Sequence, residues 1–341
     1  MIADILQTII VNTLTVVFTT FCFMLVYTIY YSMQRNCIMK DIRRFIAPVN
    51  RVIACTELPT KFKVVPETSF HRLLNEAEQR QILEQDAKGR KLFNGKVVRL
   101  DAIEGDTAIL SEAKFFDFMT TNLVIKPNNR AKKSALANLY ATLFSDQVKQ
   151  VMKLEHRVKA AIVGQPRKTF DDVIAIKELA NIVTVSVLIH DCTGRVLLVH
   201  RGNKVAISSG SFATSCAGSV DVQDLETTNP FLSCAQRELK EELDLECSLH
   251  FDSLVISKQK LQPAALFSGY IDYCFEDVYQ KMISAPDYKE ENCELFAVPE
   301  DCLNSIVKRY QFTDVAAFQL AGDAANWACV LPRSIEKFKL G

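Results

Sequence analysis

Glycine is scarce in this chain of 341 residues, with 11 in all beside 10 prolines and a single tryptophan. So few glycines exclude a collagen-like repeat and a Gly-Ser linker, and they weigh against a Gly-rich phosphate loop. No GxGxxG, Walker A or GxSxG pattern occurs, which removes dinucleotide-fold, P-loop and α/β-hydrolase chemistry. Neither sign of charge is in excess: 40 Lys and Arg face 40 Asp and Glu. A strongly basic nucleic-acid surface and an acidic solvating tail are therefore both unexpected, and no nucleic-acid partner is foreseen. The 11 cysteines run from Cys22 to Cys329 without a CxxC pair, and the 5 histidines form no HxxxH or HExxH. No zinc framework follows, and an odd count would leave a thiol over in any disulfide lattice. Reduced, mostly buried thiols in a cytosolic compartment are the expectation.

What the chain does have is one long uncharged run. No charged residue lies between Asp4 and Arg35, and Ile9 to Tyr31 contains only Asn12 and five threonines outside the hydrophobic set. At about 1.5 Å per residue this run covers about 34 Å as a helix, enough for a hydrocarbon core of roughly 30 Å. Tyr27, Tyr30 and Tyr31 gather where an interfacial aromatic belt would sit. Arg35, Lys40, Arg43 and Arg44 follow, whereas the N-terminal flank carries Asp4 and no basic residue. The positive-inside rule then places the N-terminus outside and the rest in the cytoplasm, as a single-pass protein in the lipid bilayer. A cleaved signal peptide would want a basic start, a shorter apolar stretch and a small-residue cleavage site, none of which is present.

Beyond the anchor, His71 to Lys88 reads as a polar helix ending near Gly89. Lys96–Ile103 and Thr107–Ser111 read as strands joined by Glu-Gly-Asp, and Ala131–Leu154 as a helix with one buried face. A second module opens near Glu178. There Asn181–His190 and Arg195–His200 form a hairpin, Pro230–Leu245 a strong helix, Leu254–Lys258 and Leu266–Phe275 further strands, and Thr313–Trp327 a last helix. Strands on both sides of one strong helix predict an α/β or α+β sandwich.

The chemistry gathers on that strong helix. Glu238, Glu241 and Glu242 stand at i, i+3 and i+4, so their carboxylates share a face and repel one another unless a cation intervenes. Hard divalent ions take such oxygen ligands together with phosphate and water. Leu239, Leu243 and Ala235 would seat the opposite face, and Arg237 could orient a carboxylate through a bidentate pair.

The stretch Arg237-Glu-Leu-Lys-Glu-Glu-Leu-Asp-Leu, with Gly218 upstream, resembles the core of the Nudix box, Arg-Glu-(aliphatic)-x-Glu-Glu-x-Gly-(aliphatic). The resemblance implies a Nudix α/β/α sandwich and Mg²⁺- or Mn²⁺-dependent hydrolysis of a nucleoside diphosphate linked to another moiety. It matches Glu238 and Glu242 to the principal metal-ligating glutamates and Glu241 to a third, a metal ligand or water-positioner. It matches Arg237 to the bracing arginine and the Ala217 carbonyl to the backbone ligand. Two departures stand out. The glycine after the glutamate pair is Asp244, at a helix end where a left-handed residue is expected. The loop from Gly218 to Arg237 is five residues longer than the consensus and lacks its glutamate, with Asp221, Asp224 and Glu226 as candidate replacements.

Asn94-Gly-Lys-Val-Val-Arg-Leu-Asp, followed after a turn by Phe115-Phe-Asp-Phe-Met-Thr-Thr-Asn, resembles the pre-Nudix domain of the UDP-sugar pyrophosphatase branch. In that branch an extra domain helps hold a UDP-hexose, cleaved to UMP and a sugar 1-phosphate. The resemblance points to Arg99, Asp117, Thr121 and Asn122 for substrate or domain-interface contacts. The resulting expectation is a transmembrane anchor over 1–34 (span 9–31) and a juxtamembrane connector over 35–60. A smaller α+β accessory, substrate-recognition domain over 61–175 and a Nudix hydrolase domain over 176–341 complete it. ADP-ribose, a dinucleotide or a lipid-linked diphosphate are the rival substrates, and a catalytically silent, membrane-tethered nucleotide sensor is the rival class.

Overall fold

Short apolar runs broken by turn residues give eleven strands among the residues that the computed structural model describes, namely 13, 15–19, 22, 25–26, 52–56, 58–87, 93–125, 145–201, 210–285 and 292–327. In chain order the first half holds β1 (Val52–Ala54), β2 (Lys61–Val64), α1 (Glu76–Ala87), β3 (Lys96–Glu104), β4 (Thr107–Lys114), α2 (Phe115–Thr120), α3 (Asn122–Ile125), α4 (Asp146–Ile162) and α5 (Phe170–Ile174). The second half holds β5 (Thr184–His190), β6 (Val196–Arg201), β7 (Phe212–Ala213), β8 (Cys216–Ser219), α6 (Pro230–Leu243), β9 (Leu249–Ser257), β10 (Gln262–Tyr270), α7 (Phe275–Ser284), β11 (Asn292–Val298), α8 (Leu303–Arg309) and α9 (Asp314–Trp327).

The larger sheet has the order β1-β9-β10-β5-β6-β11, with β8 on β5 and β7 on β6. β10 runs parallel to β5, and β8 runs antiparallel to it. Side chains alternate across a strand, and β5 uses both faces. Val185, Val187 and Ile189 pack in one cluster with Leu239 and Leu243 of α6. Leu188 packs in another with Ala316 and Leu320 of α9. The sheet therefore lies between helices, in the three-layer arrangement expected.

The smaller sheet, β2-β4-β3, is not an independent body. Val98 of β3 donates its N–H to Val220 O and accepts from Val183 N, each at 2.9 Å, while Leu100 N reaches Asn181 O at 3.0 Å. Its Val98 and Leu100 share one apolar cluster with Val185 and Leu239. The accessory part and the helix-bearing part thus bury one continuous core.

Local physics moved several boundaries. Asn75 and Glu78 exchange side-chain to backbone hydrogen bonds of 2.9 and 3.0 Å, a capping arrangement that starts α1 at Glu76 rather than His71. Asn181 takes a left-handed φ of 45° and serves the junction with β3, so β5 begins three residues later than its apolar run. Val52–Ala54, placed in the connector from sequence, pairs antiparallel with Ser257–Val255 as an edge strand of the larger sheet. Of the Ala131–Leu154 helix, residues 131–144 lie outside the described residues, and α4 continues to Ile162 because Val158 and Ile162 are fully buried.

Most of the expected span 9–31 also lies outside the described residues. Those described within it are helical, with Val16, Val17, Phe18 and Val26 largely exposed. No helix among the described residues is long and apolar enough to cross a membrane.

Where β8 separates β5 from β6, one hydroxyl stands in for a missing rung. Buried Ser215 donates to Leu197 O at 2.6 Å and accepts from Ile189 N at 2.8 Å. Ser215→Ala leaves both backbone groups buried without that partner, and should lower stability by about 2–3 kcal/mol. Urea unfolding checks this. An unshifted midpoint would show that the rung is dispensable.

Candidate functional site

α6 is cut out by its ends. Asn229 accepts from Leu232 N at 3.1 Å, and Pro230 occupies the first helical position, where its missing N–H costs nothing. At the other end Asp244 adopts φ 53° and ψ 41°, the left-handed geometry expected of the glycine it replaces. Asp244 N bonds to Lys240 O at 3.0 Å and Leu245 N to Leu239 O at 3.4 Å, which closes the helix. The Lys240 ammonium, 2.8 Å from Asp244 Oδ1, keeps that carboxyl below its usual range. Ala235, Leu239 and Leu243 are buried as predicted.

The helix lies against β8, whose register decides which backbone groups face it. Val220 N bonds to Val183 O at 3.0 Å, so the antiparallel alternation makes Val185 and Gly218 the next hydrogen-bonded pair. Ala217 and Ser219 then turn their N–H and C=O groups away from β5. Ala217 N donates to Glu242 Oε1 at 3.3 Å, and Ser219 O accepts from Arg237 Nη2 at 3.2 Å. The Ala217 carbonyl, named from sequence as a backbone ligand, is outside the β5–β8 ladder by the same alternation. A Cβ on Gly218 would collide with the Cδ and both oxygens of Glu238. Glycine there leaves the Glu238 carboxylate its place over the Cα, and any larger residue would push that carboxylate aside.

Arg237 gathers the charges. Its Nη1 donates to Glu238 Oε1 at 2.8 Å and Glu241 Oε2 at 3.0 Å, and its Nη2 reaches Asp224 Oδ2 at 3.1 Å. Burial alone would lower its pKa, but the hydrogen bond to Asp224 and the neighbouring Glu238 charge outweigh it and hold the pKa well above the ordinary value. Of the three candidates for the missing loop glutamate, Asp224 is the one that meets Arg237, at 2% exposure. Asp221 instead accepts from Gln223 N at 3.2 Å and opens a 3-10 turn over Val222–Glu226, and Glu226 is exposed. Burial and then the Glu242 charge push the Cys216 thiol well up, and burial and then Glu238 do the same for Cys234, so both stay protonated.

Two of the three glutamates, Glu238 and Glu242, thus meet β8, and the three differ in posture. Glu242 is 1% exposed and points at β8, whereas the Glu241 side chain is 38% exposed. Carboxylates and a backbone carbonyl are the donors a hard divalent cation takes, so the residues fit such an ion in kind. Among the described residues no three His, Cys, Asp or Glu side chains are grouped to hold a metal as they stand. Glu238 and Glu241 point instead to the guanidinium.

Arg99, Asp117, Thr121 and Asn122 are all buried, with partners inside the protein. Arg99 Nη1 bonds to Ser69 Oγ at 2.8 Å and pairs with Asp101, and Nη2 reaches Leu179 O at 3.4 Å. Burial draws the Arg99 pKa down against the opposing Asp101 charge. Asp117 accepts from Arg72 Nε and Nη2 at 2.8 and 2.7 Å and from Gln79 Nε2 at 2.7 Å. Thr121 Oγ1 donates to Asp117 O at 2.6 Å. Asn122 accepts from Ala180 N at 3.1 Å and donates to Leu261 O at 2.8 Å, which ties α3 to the entry of β5 and to the β9–β10 turn. Arg99, Thr121 and Asn122 thus each reach a residue beyond 175, Asp117 is held by side chains within 61–175, and none of the four is exposed.

Asp224→Ala should cost about 2 kcal/mol, less than a fully buried pair because the Arg237 side chain is 22% exposed. Glu226→Ala should cost almost nothing. Equal losses in thermal or urea unfolding would remove Asp224 from the role given to it.

No protein-family model and no curated protein sequence matches the chain. Solved structures are similar to part of it. DR0079 from Deinococcus radiodurans is 14% identical over 41% of this chain and 82% of its own, with a TM-score of 0.33. The MutT protein from Methanosarcina mazei Go1 is 17% identical over 42% of this chain and 94% of its own, also at 0.33. The Nudix domain of NrtR from Shewanella oneidensis, solved with ADP-ribose, is 15% identical over 44% of this chain and 89% of its own, again at 0.33. At these identities and scores no relationship follows, and what the site does is read from its own residues.

Proposed function

We propose that the chain is a Nudix-type, divalent-metal-dependent pyrophosphate hydrolase acting on a nucleoside diphosphate linked to another moiety. The carrying observation is the packing of a three-glutamate helix against a strand that turns backbone groups toward it, with Gly218 leaving room for Glu238. Glu238, Glu242, Glu241 and the Ala217 carbonyl are the groups that would hold Mg²⁺ or Mn²⁺. A bound ion there supplies neutralisation of diphosphate charge and a water of lowered pKa. Arg237 holds Glu238 and Glu241 near each other against their repulsion, and Asp224 fixes Arg237. Glu241, the most open of the three, would serve as a metal ligand or water-positioner.

A UDP-sugar, cleaved to UMP and a sugar 1-phosphate, is the favoured substrate. This preference rests on the sequence resemblance of residues 94–101 and 115–122. Since Arg99, Asp117, Thr121 and Asn122 are engaged as braces, base and sugar would be read by other groups. A silent nucleotide sensor is the second reading. It is favoured by one observation, the engagement of Glu238 and Glu241 by Arg237 with no three-residue metal group ready among the described residues.

The anchor completes the proposal. Exposed apolar residues at 16, 17, 18 and 26 suit a lipid surround, and Thr19 Oγ1 donates to Thr15 O at 2.7 Å, which satisfies a hydroxyl without water. With the basic residues at 35–44, this supports a single-pass membrane protein whose hydrolase region is cytoplasmic.

A panel of UDP-glucose, UDP-galactose and ADP-ribose assayed with Mg²⁺ should show release of UMP and sugar 1-phosphate. Turnover of ADP-ribose alone would replace the favoured substrate, and no turnover of any would favour the sensor. Glu242→Gln should reduce turnover by orders of magnitude with folding kept. Protease added outside intact cells should leave the region after residue 60 undigested, and digestion there would reverse the orientation.

A further inference from the structure

The backbone of β8 is gripped at three successive residues by side chains, two from α6 and one from β5. Glu242 of α6 takes the Ala217 N–H at 3.3 Å, and Arg237 of the same helix takes the Ser219 carbonyl at 3.2 Å. Between them, Thr184 Oγ1 donates to the Gly218 carbonyl at 2.6 Å, from the opposite strand. The same hydroxyl lies 3.4 Å from Val185 O, a much poorer acceptor by distance. Two of these grips come from residues whose charges a cation would rearrange, because Arg237 also binds Glu238 and Glu241. The Thr184 grip is neutral and is independent of that rearrangement.

Gly218 is the residue on which placement matters most. Its Cα carries the Glu238 carboxylate directly above it. The Gly218 carbonyl belongs to the peptide plane shared with Ser219, and the Ala217 carbonyl to the plane on the other side of the Gly218 Cα. A bond that holds the Gly218 carbonyl therefore holds that Cα, which seats Glu238 and joins the two planes. Side-chain hydroxyls in a strand are common, but neither hydrogen-bonded pairing nor packing requires one at Thr184. Threonine and serine keep the bond, and valine keeps the shape without it.

We propose that Thr184 is a positioning residue for the carboxylate and carbonyl ligands of a divalent cation, acting through the Gly218 carbonyl. This rests on the metal-dependent reading above. Groups that orient ligands without touching the ion typically change metal affinity by about 10–100-fold when removed. Thr184 is half-buried and its removal need not disturb the core.

Mn²⁺ binding to the full-length chain, followed by the electron paramagnetic resonance signal of free Mn²⁺, separates this role from a structural one. Thr184→Val should raise the Mn²⁺ dissociation constant about tenfold, and Thr184→Ser should stay within about twofold of the unmodified chain. Urea unfolding of the two variants, run alongside, should differ little. Thr184→Val binding Mn²⁺ as tightly as the unmodified chain would overturn the role of Thr184 while leaving the metal site intact. Equal weakening in both variants would also overturn it, since the hydroxyl would then not be the cause. Failure of the unmodified chain to bind Mn²⁺ would remove the metal-dependent reading itself, and this role with it.

Discussion

Everything at the site depends on one guanidinium. Asp224, Glu238 and Glu241 carry three negative charges within reach of each other, and Asp224 is almost wholly out of water. Carboxylates gathered this way repel one another unless a positive charge lies between them. Arg237 provides it with a planar fork of donors, which a lysine could not spread over three acceptors and a carbonyl. The same fork fixes α6 to β8 through Ser219 O, so charge compensation and helix placement are one contact.

The accessory part of the chain extends that constraint outward. Val98, Val183 and Val220 close a ring of backbone hydrogen bonds immediately beyond Ser219, so the end of β8 cannot shift without β3. Aromatic contact repeats the link, since Phe62 of β2 meets Phe231 in the first turn of α6 edge-on at 4.9 Å, and Phe231 in turn meets Phe251 of β9. On the opposite face Gln319 of α9 donates to Phe267 O at 2.8 Å and lies 3.3 Å from Ser186, beside Thr184 on β5. A rigid surround of this kind is what lets a few side chains hold ligand geometry. It also explains why Asp117, Thr121 and Asn122 are conspicuous in the sequence without being exposed. Short polar residues are costly to bury unless every bond is made, and here Thr121 and Asn122 join segments more than 50 residues apart.

Legibility in the sequence followed the range of the interactions. The face shared by Glu238, Glu241 and Glu242, the burial of Leu239 and Leu243, and the left-handed end at Asp244 depend on neighbours within one or two helical turns. The first two were readable from spacing, and the last from the resemblance that sets Asp244 where a glycine is expected. The role of Thr184 was not, because its acceptor lies 34 residues onward and a strand of alternating hydroxyls looks the same with or without it. The β1 strand was missed for a similar reason. Three residues carry too little pattern to outweigh a connector reading, and only pairing with Ser257–Val255 makes them a strand. The choice among Asp221, Asp224 and Glu226 was likewise a question about where a loop goes.

That loop also shows how a short acid is brought to the guanidinium. An aspartate has one methylene less than a glutamate, so its backbone has to come close to Arg237. Val220 is held by β3 and β5, Asp221 then caps a 3-10 turn, and the turn delivers Asp224 against α6, where Ser233 Oγ adds a bond at 3.2 Å.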